Sequence, residues 1–463
     1  MSQTTVDEKF KNKSIQNNTA ALMRVAFVGI GHRAGCWIGP AVSEYAEHVN
    51  VVGLCDPVLQ RCHDAIDHWQ IDAPCYTDMG QMLAETQPDL TVITSPESVH
   101  RQQIVQALHA GSRVATEKPL CVTGEDAQTI LEAQQTHGQP VLMGFNYRHI
   151  PLCQKIKSII QSGVIGKPLS VQLNWMLDYH GHGGSYFHRW HGQMAQSGGL
   201  LITKATHHFD LVNWWLDDRP VEVYAQCRLN RFGSSNSPYG SDHANRCQDC
   251  SQASQCEHFR KLNTKQHSQE LGYQVRQVHD YHGDLCVWRD EIDIYDTHAL
   301  TVQYQSGCVM SYALDATAPY EGWQLVINGT NGRLETGIED AKPAPDWQKH
   351  FVIRKHGKGI ERMPEDQYFV SSWPAEYSIH VMPLDRVAYM EKVPNVAEGH
   401  GGGDQKIMRD AYLPAELNNE TDPLKTRADI IDGARSMAIG AAANQSTKLN
   451  RPVRINEILG QWA

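Results

Sequence analysis

The stretch VAFVGIGHRAG, Val25 to Gly35, decides how this chain is read. A short apolar run empties into a glycine-rich turn. Val and Phe suit a strand buried on both faces of a parallel sheet, and the glycines let the backbone bend sharply and approach a pyrophosphate at the start of the next helix. Gly29 and Gly31 hold the first two places of a GxGxxG/A pattern, Ala34 holds the third, and Gly35 follows.

Outward from that turn, a second apolar run, Val51 to Leu54, ends in Cys55-Asp56-Pro57. Asp56 lies about 20 to 25 residues downstream, the distance at which a carboxylate accepts hydrogen bonds from the adenosine ribose. This favours NAD over NADP, because a 2′-phosphate beside Asp56 is repelled. From Leu22 to Asn146 apolar runs alternate with helical patterns: VAFVGI, VVGLC, LTVITS, RVATE and VLMGF, with amphipathic segments such as Arg101 to Ala110 between them. Such alternation predicts a doubly wound parallel sheet, a Rossmann domain over 22–146. Residues 1–21 read as a flexible polar tail.

Beyond Pro151 the pattern changes. A helix is expected over Pro151 to Ser162, then VQLNWML, VEVYAQCRL, HALTVQYQ, GCVMSYALDA and WQLVING read as longer strands with alternating polarity. Direct turns at Gln305-Ser306-Gly307 and Thr330-Asn331-Gly332 join several of them. The expectation is an α+β domain over 147–463 with a mainly antiparallel sheet, a polar insertion at about 230–285, and C-terminal helices, the clearest over Thr426 to Gln445. The overall class is α/β.

Of the 463 residues 41% are hydrophobic and 20% charged, enough apolar content for large cores. The formal charge of −11 excludes a general affinity for nucleic acid or anionic membrane. No apolar run is long enough to span a bilayer, and the polar start carries no readable export signal, so a cytoplasmic protein is expected. Most of the twelve cysteines are then expected to be reduced. Cys247, Cys250 and Cys256 differ: they cluster in a polar stretch, and with Cys286 they match the tetrahedral demand of a structural zinc. His243 or His258 can replace Cys286 as the fourth ligand.

Three more segments converge on one family. VITSPESVHRQQIVQALHAGSRVATEKPL (Val92 to Leu120), FNYRHIP (Phe145 to Pro151) and SGGLLITKATHHFD (Ser197 to Asp210) resemble the glucose–fructose oxidoreductase and inositol dehydrogenase family, Gfo/Idh/MocA. The resemblance implies an NAD-dependent oxidoreductase that moves hydride to or from a sugar, polyol or glycoside, with the C-terminal sheet used for homo-oligomer contacts. Lys118 of Glu117-Lys118-Pro119 takes the family's active-site lysine position, and a lysine near a cationic nicotinamide has its pKa lowered toward neutrality. His207 takes the second proton-handling position. The family usually carries an aspartate where this chain has Thr203, so the imidazole loses a carboxylate partner; Lys204 and His208 are candidates to share its work. On the cofactor, the resemblance implies Gly29, Gly31, His32, Arg33, Asp56, Ser95, Pro96, His100, Glu117, Lys118, Asn146 and Arg148.

Two histidine-rich stretches suit sugar recognition, since aromatic faces alternate with hydrogen-bonding groups. They supply Tyr179, His180 and His182, then Arg189 and Trp190, and Arg189 can meet a carboxylate, sulfate or sulfonate. The segment Glu398 to Asp404, EGHGGGD, adds His400 and resembles an element of NAD-dependent α-N-acetylgalactosaminidases. Those enzymes oxidise a sugar transiently, eliminate and restore the alcohol, with no net redox. Their characteristic histidine aligns here with Lys204, and their export signal is not seen. The glycines read equally as a loop that caps the next helix through Asp404. A catalytically silent NAD-bound sensor or scaffold is the third reading.

Overall fold

The computed structural model describes residues 21–261, 263–275, 283–340, 354–356, 359–361, 376–396, 399–413 and 422–463. All but the last residue of the expected 1–21 tail lies outside them. Six strands, β1 (Met23–Val28), β2 (Val49–Cys55), β3 (Cys75–Tyr76), β4 (Leu90–Ile93), β5 (Arg113–Thr116) and β6 (Val141–Met143), form a parallel sheet in the order β3-β2-β1-β4-β5-β6. The order reverses between β1 and β4, which opens a crevice at their carboxyl ends. Gly29 to Gly31 sit in that crevice.

The second sheet carries β7 (Pro168–Asp178), β8 (Pro220–Arg228), β9 (Thr297–Tyr304), β10 (Val309–Ala318), β11 (Glu321–Gly329) and β12 (Gly332–Asp340). A separate hairpin of β13 (Arg354–His356) and β14 (Gly359–Glu361) precedes β15 (Glu376–Pro383), β16 (Tyr389–Pro394) and β17 (Val453–Arg454). The nine-strand order is β16-β15-β12-β11-β7-β10-β9-β8-β17, antiparallel except at β7–β10. Along β9 and β10 every second residue is buried, the period of a sheet with one covered face. The helix Thr206–Leu216 covers part of that face, with Phe209 against Tyr312 of β10 at 4.9 Å.

The chain after Asp404 interlocks the two layers. Tyr412 donates its hydroxyl to the Trp37 carbonyl at 3.0 Å, Met143 of β6 donates to the Ala428 carbonyl at 3.1 Å, and Gln128 donates to that of Ile458 at 2.7 Å. The long C-terminal helix spans Ile430–Leu449, later than the expected 426–445, because Asp429 and Asp432 form a reciprocal capping box that sets its start. The insertion reaches across as well. Its Leu271, Tyr273 and Val275 belong to the same apolar cluster as Ile30 and Trp37, and the Tyr273 hydroxyl donates to the Ile30 carbonyl at 2.8 Å. Among the described residues, no helix is long and apolar enough to cross a membrane.

Candidate functional site

A cleft of about 970 Å³ runs from the glycine turn to the second sheet's helical cover. At its first end Gly29 has φ +81°, and a Cβ there would lie 2.5 Å from the Ser95 backbone. Gly31 caps the helix His32–Val42, and a Cβ on it would meet nothing within 4 Å. One glycine therefore closes the turn on its neighbour strand, while the other leaves a helix N-terminus open to the cleft, the cradle a pyrophosphate fills. His32, Arg33, Ser95 and Pro96 line this part.

Asp56 is buried at the carboxyl end of β2. Its oxygens accept from the Ile30 and Val58 amides, both at 2.8 Å, and Arg61 approaches at 3.3 Å. The same carboxylate that faces the cleft thus also holds the turn in shape. Leu271 of the insertion lines the cleft too, a contribution with no signal in the local sequence.

Deeper in, the charges are closely paired. Glu117 accepts from Arg33 Nε at 2.8 Å and from the Trp37 indole at 2.9 Å. Burial alone would raise the Glu117 carboxyl, but Arg33 and Trp37 outweigh it and hold the pKa low. Asp404 accepts from Arg33 at 3.1 Å, Asn146 at 2.8 Å and His400 at 2.7 Å, and those donors likewise overcome burial and depress its pKa. Asp404 is therefore not the helix cap: Gly402 takes that place, and the carboxylate ties the GHGGGD loop to the cofactor end.

Lys118 stands where the two layers meet. Its ammonium donates to the Thr203 carbonyl at 2.8 Å, and burial, followed by repulsion from Lys204, lowers its pKa to about 8. Lys204 donates to the Tyr147 hydroxyl at 3.1 Å and lies over the Tyr147 and Trp175 rings at 5.5 and 5.7 Å. Burial works against its charge, but Tyr147, Tyr186 and Glu321 outweigh it, so its pKa is raised. His207 stacks on Tyr147 at 4.1 Å; burial, and then Lys118 and Lys204, hold it well below its usual value, so its imidazole is neutral. Thr203 contributes through its backbone carbonyl, an acceptor that the residue type alone does not announce.

The far wall is made by His182, Tyr186, Arg189, Trp190 and His191. His182 bridges Glu321 at 2.9 Å and the Tyr186 hydroxyl at 3.1 Å, and burial with nearby Lys204 pushes it down to about 4. Arg189 is braced by the Ser185 carbonyl and hydroxyl at 2.9 and 2.7 Å and lies over the Tyr186 ring at 5.7 Å. His191 stacks on Trp190 at 4.1 Å, and Glu97 lines the cleft 4.0 Å from its Nε2. Tyr147 belongs to the FNYRHIP segment and Tyr186 and His191 to the second histidine-rich stretch, whereas Glu97 escapes a reading by motif.

Five candidates lie off the cleft lining, each for a visible reason. Arg148 forms a two-pronged pair with Asp210 at 2.8 and 2.6 Å, 3% exposed, and so holds the helix Thr206–Leu216 instead of a cofactor. His100 has its ring nitrogens against the Pro119 and Ser95 carbonyls at 2.8 and 2.9 Å, which braces the loops around the site. His208 is fully buried between Trp175, at 3.5 Å, and the Tyr312 hydroxyl, at 2.7 Å. Tyr179 turns toward the insertion, bonded to Glu257 at 2.7 Å and Arg231 at 2.9 Å, and His180 is exposed beside it.

With this geometry in view, two family models match: the oxidoreductase family's NAD-binding Rossmann fold over residues 23–145, and its C-terminal alpha/beta domain over 157–455. The chain belongs to the Gfo/Idh/MocA oxidoreductase family. It is 32% identical to the putative oxidoreductase YteT of Bacillus subtilis over 459 residues, 94% of this chain and 99% of that one. Inositol 2-dehydrogenase of Salmonella typhimurium is 32% identical over 179 residues, 38% of this chain and 50% of the relative. Among solved structures, levoglucosan dehydrogenase in complex with NADH and levoglucosan has the same fold, with a TM-score of 0.63 at 15% identity, covering 94% of this chain and all of that one. Residues 23–145 are therefore the NAD-binding domain of an oxidoreductase. The glycosidase and sensor readings gain no support from these relatives.

The zinc expectation finds no support. Cys247, Cys250, Cys256 and Cys286 do surround one small cavity of about 10 Å³, with His243 at its edge. Among the described residues, however, no group of histidine, cysteine or acidic side chains is arranged to hold a metal. Burial pushes the Cys247 thiol up to about 12 and that of Cys286 to about 11, and His258 packs its ring among Tyr179, Phe232 and Trp288. Cys247 and Cys286 are buried and Cys250 and Cys256 half-buried.

Proposed function

We propose that this protein is an NAD-dependent oxidoreductase that exchanges hydride with a carbinol carbon of a carbohydrate, with Lys118 as the proton-transfer group and His207 beside it. The observation that carries the reading is the placement of Lys118: its ammonium is anchored by the Thr203 carbonyl, depressed to about 8, and set where the cofactor end of the cleft meets its aromatic wall. NAD, when bound, supplies the hydride acceptor or donor.

Oxidation of an alcohol requires its hydroxyl proton to leave as the hydride departs, and an amine near neutral pKa is suited to accept it. The Thr203 carbonyl fixes the direction of the Lys118 nitrogen, while Lys204 keeps its proton loosely held. Neutral His207, stacked on Tyr147, offers a hydrogen-bonding edge to the same hydroxyl without competing for charge. Tyr147, Tyr186 and Trp190 supply apolar faces for a sugar ring. Preference for NAD over NADP is assigned to Asp56, although Arg61 beside it softens the repulsion of a 2′-phosphate. A screen of sugars and polyols for NADH absorbance tests the reading, with Lys118→Met as the control: turnover is expected to fall steeply with NADH binding kept.

A further inference from the structure

Arg189 is a cation for which the reaction just described has no evident need, and Lys204 does no more in it than lower the Lys118 pKa. Arg33, Arg61 and Arg148 each meet a carboxylate within 3.3 Å. Arg189 meets none among the described residues: Nε and one terminal nitrogen are occupied by Ser185, the Tyr186 ring lies beneath, and the other terminal nitrogen is left for the cleft. Lys204, 4% exposed, is held by a neutral phenol and two aromatic faces. Both line the same cleft, Arg189 lies over the Tyr186 ring, and each of the two acts on the ionisation of Tyr186 and His182.

The surrounding charges fix how much negative charge is missing. His182, His191 and His207 are neutral at pH 7, each held down first by burial. Glu97 acts on Lys118 and offsets it, and Glu321, bonded to His182, faces Lys204. Arg33 is consumed by Glu117 and Asp404 at the cofactor end. Among the described residues, what remains around Tyr186 is close to one uncompensated positive charge, rigidly presented and partly desolvated. Such a charge costs free energy to hold unless a ligand completes it.

We propose that the substrate is an acidic sugar, a uronic or aldonic acid, whose carboxylate is held by Arg189 and Lys204 beside Tyr186. This rests on the oxidoreductase reading and narrows its substrate class. A planar monoanion suits the one free terminal nitrogen of Arg189 and the unused N–H groups of Lys204. The pyrophosphate has its own cradle at Gly31, so the second cationic centre answers to a different anion. With its carboxylate fixed there, the sugar lies along the aromatic wall and presents a ring hydroxyl to Lys118.

The test titrates the NADH-bound protein by calorimetry with D-galacturonate, D-glucuronate and D-gluconate, each beside its neutral parent sugar, and follows NADH formation with the same compounds and NAD. At least one acid is expected to bind about ten- to a hundredfold more tightly than its parent. Arg189→Gln should collapse that ratio, Arg189→Lys should restore part of it, and unchanged NADH affinity in both certifies an intact fold. Absence of any acid preference across the panel, or equal loss of acid and parent binding in Arg189→Gln, overturns the proposal. A preferred acid that binds but yields no NADH upholds the carboxylate site and strikes instead at the oxidoreductase reading.

Discussion

The two ends of the cleft treat charge in opposite ways. At the cofactor end Arg33, Glu117, Asp404, Asn146 and His400 form one paired network, and Asp56 is saturated by two backbone amides and Arg61. At the substrate end Lys118, Lys204 and Arg189 lean on carbonyls, a phenol and aromatic rings, with no carboxylate in ion-pair contact among the described residues. Paired charges hold a shape, because removing either member strands the other in a low dielectric. Unpaired ones, on the proposed reading, serve a ligand or a proton in transit. The contrast thus separates what keeps the site assembled from what it does.

The sharpest way to break that contrast is at Lys118. Replacement by Met keeps the length and removes the ammonium, so turnover should fall on the order of 10² to 10⁴ while NADH binding persists. Loss of cofactor binding in that variant would move Lys118 into the structural group. Arg148→Met makes the converse test. It strands Asp210, already pushed up to about 7 by burial even with Arg148 in place, and should cost about 3–5 kcal/mol of stability in a denaturant titration. A stable Arg148→Met protein with impaired NADH affinity would return this arginine to the cofactor.

Asp56 belongs to both groups, and its replacement shows in what proportion. Asp56→Ser removes charged acceptors from Ile30 and Val58 and should weaken NAD about ten- to a hundredfold, with relative NADP binding improved. Unchanged NAD affinity by calorimetry would exclude the ribose contact. The smallest expected effect is on pH. Alcohol oxidation needs the neutral Lys118 amine, so kcat/KM should rise about tenfold per pH unit and level off near or below about 8, since the positive nicotinamide ring lowers the pKa further. Ketone reduction needs the ammonium, so its kcat/KM should be level below the Lys118 pKa and fall about tenfold per pH unit above it. A flat oxidation profile between about pH 6 and 8 would remove Lys118 from the proton path.

Much of the architecture was readable because it is written locally. The β1 run and its glycines, the alternation in β9 and β10, and the tight turns before β10 and β12 all depend on residues a few places apart. The start of the long C-terminal helix differs from the expected one by the same logic, since a capping box at Asp429 outranks the helical pattern before it. The site was readable only in part. Lys118, His207, Lys204, His182, Arg189, Trp190 and His400 do converge on the cleft, whereas Arg148, His100, His208, Tyr179 and His180 were assigned by neighbourhood in the sequence and find their partners elsewhere.

By itself, then, the sequence determined an NAD-binding parallel sheet followed by a second sheet domain, and it singled out the lysine after Glu117, because strand periodicity and a glycine turn are properties of contiguous chain. Only the tertiary structure decided which charges are paired. Asp404 lies far along the chain from Arg33, and Arg148 and Arg189 are chemically identical side chains in similarly polar, aromatic stretches. One meets Asp210 and becomes part of the frame; the other meets no carboxylate among the described residues and lines the cleft. Electrostatic role depends on distance and burial in space, and neither is a property of neighbours along the chain.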